Sequence, residues 1–252
     1  HHRLRQEIVL GIGGVRSLRA LGYEPDVFHT NEGHAGFLGL ERIREHVAGG
    51  MTFSAAVEAV RGGGLFTTHT PVPAGIDRFD RALFERYFTA FAAECGVSID
   101  ELFAIGVSPD DTPNGHDDGN DNDDDDNDAG NGNGNGDAEP PFNMAVMGLR
   151  LAARSNGVAE LHGSVAREMF HPLWPQIEPS QVPITAVTNG VHGRSWTSIR
   201  VDSMLSRVIG DDWSLADAER WRAITTVDPA EIGDTLAAGR RGLVRFVRDR
   251  LG

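Results

Sequence analysis

Two polar clusters constrain the fold most: V-F-H-T-N-E-G-H from Val27 to His34, and F-T-T-H-T-P-V-P-A-G from Phe66 to Gly75. Each follows a few apolar, β-prone residues and precedes a helical pattern. Short strands alternating with helices imply a mostly parallel α/β sheet. In such a sheet the carboxyl ends of the strands are where ligands bind. Histidine, carboxylate, amide and hydroxyl groups then meet on one rim, among glycines and prolines that fix loop shape. That combination suits a polyhydroxylated substrate.

The periodicities fill in the frame. Leu4 to Leu21 reads as a helix carried by Leu4, Ile8, Ile12, Val15 and Leu18. A strand is expected over Asp26–His29, then a helix over Ala35–Val47 with Leu38, Ile43 and Val47 inward and Glu41, Arg42, Arg44 and Glu45 outward. Further helices are expected over Thr52–Arg61, with Thr52 as N-cap, over Asp80–Cys95 and over Ser98–Ile105, with a strand at Gly64–Thr67. Beyond the acidic tract, Asn143–Arg154 reads as a helix, Gly157–Leu161 as a strand or turn, Gly163–Phe170 as a helix and Pro183–Thr188 as a strand. The tail over Val201–Leu251 is helical, with breaks at Gly210–Ser214 and Asp228-Pro229. The expected organisation is α/β over 1–107, an acidic insertion over 108–141, α/β over 142–199 and a helical segment over 200–252.

Charge narrows the partners. Twelve of the 37 acidic residues lie between Ser108 and Pro141, so the remaining 25 nearly balance the 23 basic ones. No basic stripe marks a nucleic-acid surface. The Asp/Asn/Gly tract buries no apolar area to offset ordering and reads as disordered and solvated, not as a calcium loop. Every basic residue is arginine. Without lysine, no Schiff base, phosphate-loop lysine or amine nucleophile comes from these residues. Cys95 is the only cysteine, which leaves no internal disulfide. No signal peptide or membrane span is evident, so a soluble, cytoplasmic protein is the expectation. The chain opens on His1-His2 without methionine and is expected to be a piece of something longer.

Three strand ends carry polar signatures: His29/Asn31/Glu32/His34, Thr68/His69/Thr70 and Thr188/Asn189/His192. Three in parallel register favour a site over turn chemistry. His29, Glu32 and His34 do not have the spacing of a helix-borne zinc site, and no metal is expected. Glu32 is read as orienting His34 or a sugar hydroxyl. Gly11-Ile12-Gly13-Gly14 lies within a helical pattern and is read as close packing, not as a nucleotide loop. The four tryptophans are read as core and interface residues.

One ordered set of motifs is more specific than any member alone. R-L-R-Q-E-I at 3–8, N-E-G-H at 31–34, T-H-T at 68–70, F-N-M at 142–144, N-G-V at 156–158 and T-N-G-V-H at 188–192 resemble the α-glucan (glycogen/maltodextrin) phosphorylases of the shorter bacterial and archaeal type. The resemblance spans nearly all the chain except the acidic insertion. It implies part of the first, Rossmann-like lobe of a two-lobe glycosyltransferase (GT-B-like) fold, with the active site between the lobes. It also implies phosphorolysis of a terminal α-1,4-linked glucose to glucose 1-phosphate. The partners would be α-1,4-glucan and inorganic phosphate, with room for a homo-oligomer. His69 would be catalytic, touching the transferred glucosyl unit and placing its carbonyl near the reacting carbon. Asn31, Glu32, His34, Thr68, Thr70, Asn189 and Gly190 would bind substrate or shape its loops. Long-chain members have aspartate where Glu32 stands and asparagine where Thr68 stands. The family's cofactor, pyridoxal 5′-phosphate, sits on a lysine of the second lobe, which this chain lacks, as it lacks the earlier glycine loop for substrate phosphate. The expectation is a segment inactive alone. A nucleotide-sugar-dependent glucan synthase and a non-catalytic carbohydrate-binding protein are the alternatives; T-H-T-P-V-P-A-G argues for a phosphorylase.

Overall fold

The computed structural model describes residues 1–109 and 139–251; most of the acidic tract, with its expected disorder, lies outside the described residues. The chain divides into two compact units, His1–Asn189 and Gly190–Gly252.

The first unit is built on a four-stranded sheet of β1 (Phe28–Asn31), β2 (Gly64–Thr68), β5 (Arg154–Gly157) and β6 (Ile184–Ala186). The strands run in the order β1-β2-β5-β6, every pairing parallel. The expected mostly parallel α/β sheet is therefore present. Two-residue strands β3 (Arg78–Phe79) and β4 (Phe142–Asn143) pair antiparallel beside it.

Alternation along the strands separates the two faces. Phe28, Thr30, Phe66, Ser155 and Ile184 point to one face and are buried. Helix α7 (Met144–Arg150) lies on this side, where a Cβ on Gly148 would stand 2.4 Å from the Phe66 ring. Only glycine admits that approach. Helix α8 (Glu160–Met169) adds Ala166 to the same cluster.

The N-terminal helical pattern forms α1 (His2–Ile8), a π-type turn (Val9–Gly13) and α2 (Gly14–Ala20). A Cβ on Gly11 would meet Leu38 N at 2.7 Å and Ala35 O at 2.9 Å, so this glycine serves close packing, whereas a Cβ on Gly14 would meet nothing within 4 Å. Helix α3 (Leu38–Ala48) and α4 (Phe53–Gly62) follow, the latter capped by Thr52 accepting from Ala55 N. Helix α5 (Arg81–Glu94) is capped by Asp80, and α6 (Ile99–Phe103) by a reciprocal Ser98/Glu101 box. Phe37, Phe84, Phe88 and Phe142 pack here, with Phe84 and Phe142 stacked at 4.3 Å. Each buried phenylalanine contributes about 1.5–3 kcal/mol.

Three expectations are corrected. The strand placed after residue 157 is Arg154–Gly157, because α7 ends at Arg150. The first strand runs to Asn31, two residues further than its pattern indicated. Glu41 and Arg42, read as outward, are buried. Arg16 and Arg44 each fork onto the Glu41 carboxylate, and Arg42 lies 4.0 Å over the Phe28 ring while donating to Val60 O.

The second unit is helical, as read: α9 (Gly193–Trp196), α10 (Ile199–Ile209), α11 (Ala218–Trp221) and α12 (Pro229–Leu251). Gly210 ends α10 at φ 121°, and Trp213 is buried against Met204 and Leu205. Among the described residues, no helix is long and apolar enough to cross a membrane.

Candidate functional site

The solvent-facing side of the sheet carries a different residue set. The register aligns His29 with Leu65, Asn31 with Thr67, Thr67 with Asn156, and Asn156 with Thr185. All face a cavity of about 420 Å³, which His69 and Asn189 close from the loops beyond β2 and β6. A hydrogen-bond chain crosses three strands within it. Thr67 Oγ1 donates to Asn156 Oδ1 at 2.9 Å, and Asn156 Nδ2 donates to Gly157 O at 3.0 Å. The single hydroxyl proton of Thr67 is thereby used, so at 2.7 Å it accepts from His29 Nε2.

Glu32 follows β1 in a conformation L-residues avoid, φ 60° and ψ −168°, and no other non-glycine described residue has a positive φ. This region costs on the order of 1–3 kcal/mol and persists only where surroundings impose it. The imposing contacts belong to the loop after β2. Buried Glu32 Oε2 accepts the His69 N–H at 2.5 Å and the Thr70 hydroxyl at 3.1 Å. Glu32 thus holds His69 and Thr70 through one oxygen, while its Oε1 is buried without a partner.

A second cluster lies beside His34, on the 3₁₀ turn Gly33–Ala35. Arg3 donates from Nε to Asp77 Oδ1 at 3.2 Å and from Nη2 to Asp77 Oδ2 at 2.7 Å, and Nη2 is 2.6 Å from His34 Nδ1. Glu7 Oε1 stands 2.9 Å from Arg3 Nε without hydrogen-bond alignment, and neither Glu7 oxygen receives a donor. Burial first, then the neighbouring Asp77 carboxylate, pushes the Glu7 carboxyl up to about 8. Burial opposes ionisation of Asp77 too, but the hydrogen bonds from Arg3 and the neighbouring Glu7 outweigh it and hold its carboxyl below the usual range. Glu7, His34 and Asp77 bring ligand atoms within 4.8 Å of one another. The Arg3 guanidinium already supplies the positive charge there, which leaves no electrostatic demand for a metal ion.

Of the residues singled out from sequence, His29, Asn31, His69 and Asn189 line the cavity. Glu32 and Thr70 stand behind His69 and hold it. Thr68 is buried, its hydroxyl without a partner, and does not line the cavity. His34 belongs to the Arg3 cluster. Gly190 opens the second unit, where His192 Nδ1 contacts Ser195 Oγ at 2.7 Å. Thr67, Arg154, Asn156 and Thr185 also line the cavity. Asn156 had a signal in the N-G-V motif, but only the register of β5 puts it beside Thr67.

No protein-family model matches the chain. Curated relatives do. The glycogen phosphorylase of Mycobacterium tuberculosis is 41% identical over 262 residues, covering 99% of this chain and 27% of the relative. The maltodextrin phosphorylase of Thermococcus litoralis is 32% identical over 251 residues, covering 99% and 26%. The glycogen phosphorylase of Aquifex aeolicus is 29% identical over 250 residues, covering 98% and 32%. The chain therefore spans about a quarter to a third of the length of these relatives. Over essentially its whole length, at 29–41% identity, it is homologous to the glycogen and maltodextrin phosphorylases.

Proposed function

We propose that residues 1–189 form one wall of the sugar site of an α-glucan phosphorylase, within the first lobe of a GT-B-like fold. In that reaction the glycosidic bond at C1 of a terminal α-1,4-linked glucose breaks and a bond from C1 to a phosphate oxygen forms. The leaving oxygen takes the proton that the hydrogen phosphate gives up, and glucose 1-phosphate is released. The observation that carries this reading is the Glu32–His69 brace: a strained backbone is maintained so that a buried carboxylate can fix one exposed histidine. Strain of this kind collects at functional sites.

On this reading His69 meets the transferred glucosyl unit with its side chain, and its carbonyl oxygen faces the positive charge that develops at C1. Glu32 and Thr70 fix the peptide on which both depend. Asn31 and Asn189 offer amide donors and acceptors at the same rim. The family's pyridoxal 5′-phosphate does not fit these residues, since no lysine is present to hold its aldehyde. It would be bound by polypeptide beyond them, and the 252 residues alone are expected to be inactive.

A chimaera tests the reading, with residues 1–252 replacing the homologous segment of the Mycobacterium tuberculosis glycogen phosphorylase. It should release glucose 1-phosphate from maltodextrin only when phosphate is present, and His69→Ala should lower kcat by about 100-fold or more. A folded chimaera without activity, or one indifferent to His69→Ala, contradicts it.

A further inference from the structure

We propose that Arg3 is a positioning residue that fixes the ring tautomer of His34, so that His34 presents Nε2–H as a hydrogen-bond donor to a hydroxyl of the bound sugar. This rests on the phosphorylase reading for the ligand, but the Arg3–His34 relation stands on geometry. A guanidinium has donors and no acceptor, so the 2.6 Å contact from Arg3 Nη2 requires His34 Nδ1 to accept. Nδ1 then carries no proton, and the neutral ring carries its proton on Nε2. Nη2 has two hydrogens, one directed to His34 Nδ1 and the other to Asp77 Oδ2 at 2.7 Å. Asp77 holds the fork through both oxygens. Buried Glu7 closes the cluster from beneath, its carboxyl 2.9 Å from Arg3 Nε. Three residues from α1 and the loop before β3 thus converge on one ring nitrogen. The ring is half exposed, and among the described residues nothing bonds its Nε2. A tautomer fixed from behind, with a donor free in front, suits recognition of a hydroxyl acceptor.

Long-range ¹H–¹⁵N correlation spectra of the 252-residue chain test this, with the amide spectrum reporting the fold. At neutral pH the wild-type His34 signal should show Nδ1 unprotonated and Nε2 protonated. Arg3→Met should let the Nδ1–H form appear, and Arg3→Lys, which keeps a donor, should restore the wild-type pattern. A wild-type His34 protonated on Nδ1 overturns the proposal without any variant, as does a tautomer unmoved by Arg3→Met. In the chimaera, Arg3→Met and His34→Ala should each lower kcat/KM by about tenfold, and the double variant by no more than either alone. Additive losses overturn the coupling. If the parent chimaera is inactive while the spectra behave as stated, the phosphorylase reading fails and the positioning role of Arg3 stands.

Discussion

Two buried glutamates, Glu41 and Glu7, sit in the same unit and are treated in opposite ways. Glu41 lies between helices and receives four hydrogen bonds from the Arg16 and Arg44 forks. Burial pushes its carboxyl up, but the two guanidinium groups outweigh this and leave it below its ordinary value. Glu7 lies under the strand-end loops, receives no hydrogen bond and is held neutral by burial. Its arginine is turned instead toward Asp77 and His34. One arginine-rich cluster is saturated and ties helices together. The other leaves its buried acid without a hydrogen bond and turns its arginine to Asp77 and His34.

The largest stability effect is expected at the saturated cluster. Glu41→Ala strands two arginines and should cost about 3 kcal/mol, a loss of roughly 6–12 °C in melting temperature. A shift under about 2 °C would show that the forks contribute little.

The two acids should also respond oppositely to pH. The folded state keeps the Glu7 proton up to about 8, whereas the unfolded chain releases it near the model value of 4.5. The Glu7 contribution is therefore fully present below about 4.5 and lost as pH rises through about 8, by up to ~1.4 kcal/mol per unit. Glu7→Gln should flatten that decline and exceed the wild type in stability at pH 8. Glu41, with its value lowered, contributes above 4.5 and loses that contribution as pH falls through its folded value. Denaturant titrations from about pH 2 to 9 measure both slopes, and a wild-type stability that does not fall between about pH 5 and 8 contradicts the Glu7 assignment.

The smallest effect is expected at the acidic tract. The Phe103 and Phe142 rings, on either side of the acidic tract, lie 5.6 Å apart in the same core. Replacing residues 112–136 by a short glycine–serine linker should move the melting temperature by no more than about 2 °C, because loop-closure entropy changes slowly with length. A larger loss would mean that the tract contributes to the fold.

The helices and the parallel sheet were legible wherever the signal was local. Thr52, Asp80 and Ser98 announce α4, α5 and α6, because a cap acts within one turn of chain. Strand β5 was not legible: Arg154, Ser155, Asn156 and Gly157 include no β-branched or aromatic residue. They become extended because β2 and β6 supply backbone partners on both sides. Glu41 looked solvent-facing because its partner Arg16 lies 25 residues earlier. Of the polar loops read as one rim, those bearing His69 and Asn189 line a common cavity. The twist of Glu32 that braces His69, and the 74-residue span from Arg3 to Asp77, have no local signature.

On the proposed reading, Glu32 is kept in a strained conformation for the sake of the site and not of the fold. Glu32→Gly in the chimaera measures this directly. It relieves the positive φ and the unpartnered oxygen while removing two hydrogen bonds, terms of similar size. The melting temperature should stay within about 4 °C of the parent, while kcat for phosphate-dependent glucose 1-phosphate release falls at least about 100-fold. A variant that melts more than about 10 °C lower, or that keeps its phosphorolysis, would contradict it.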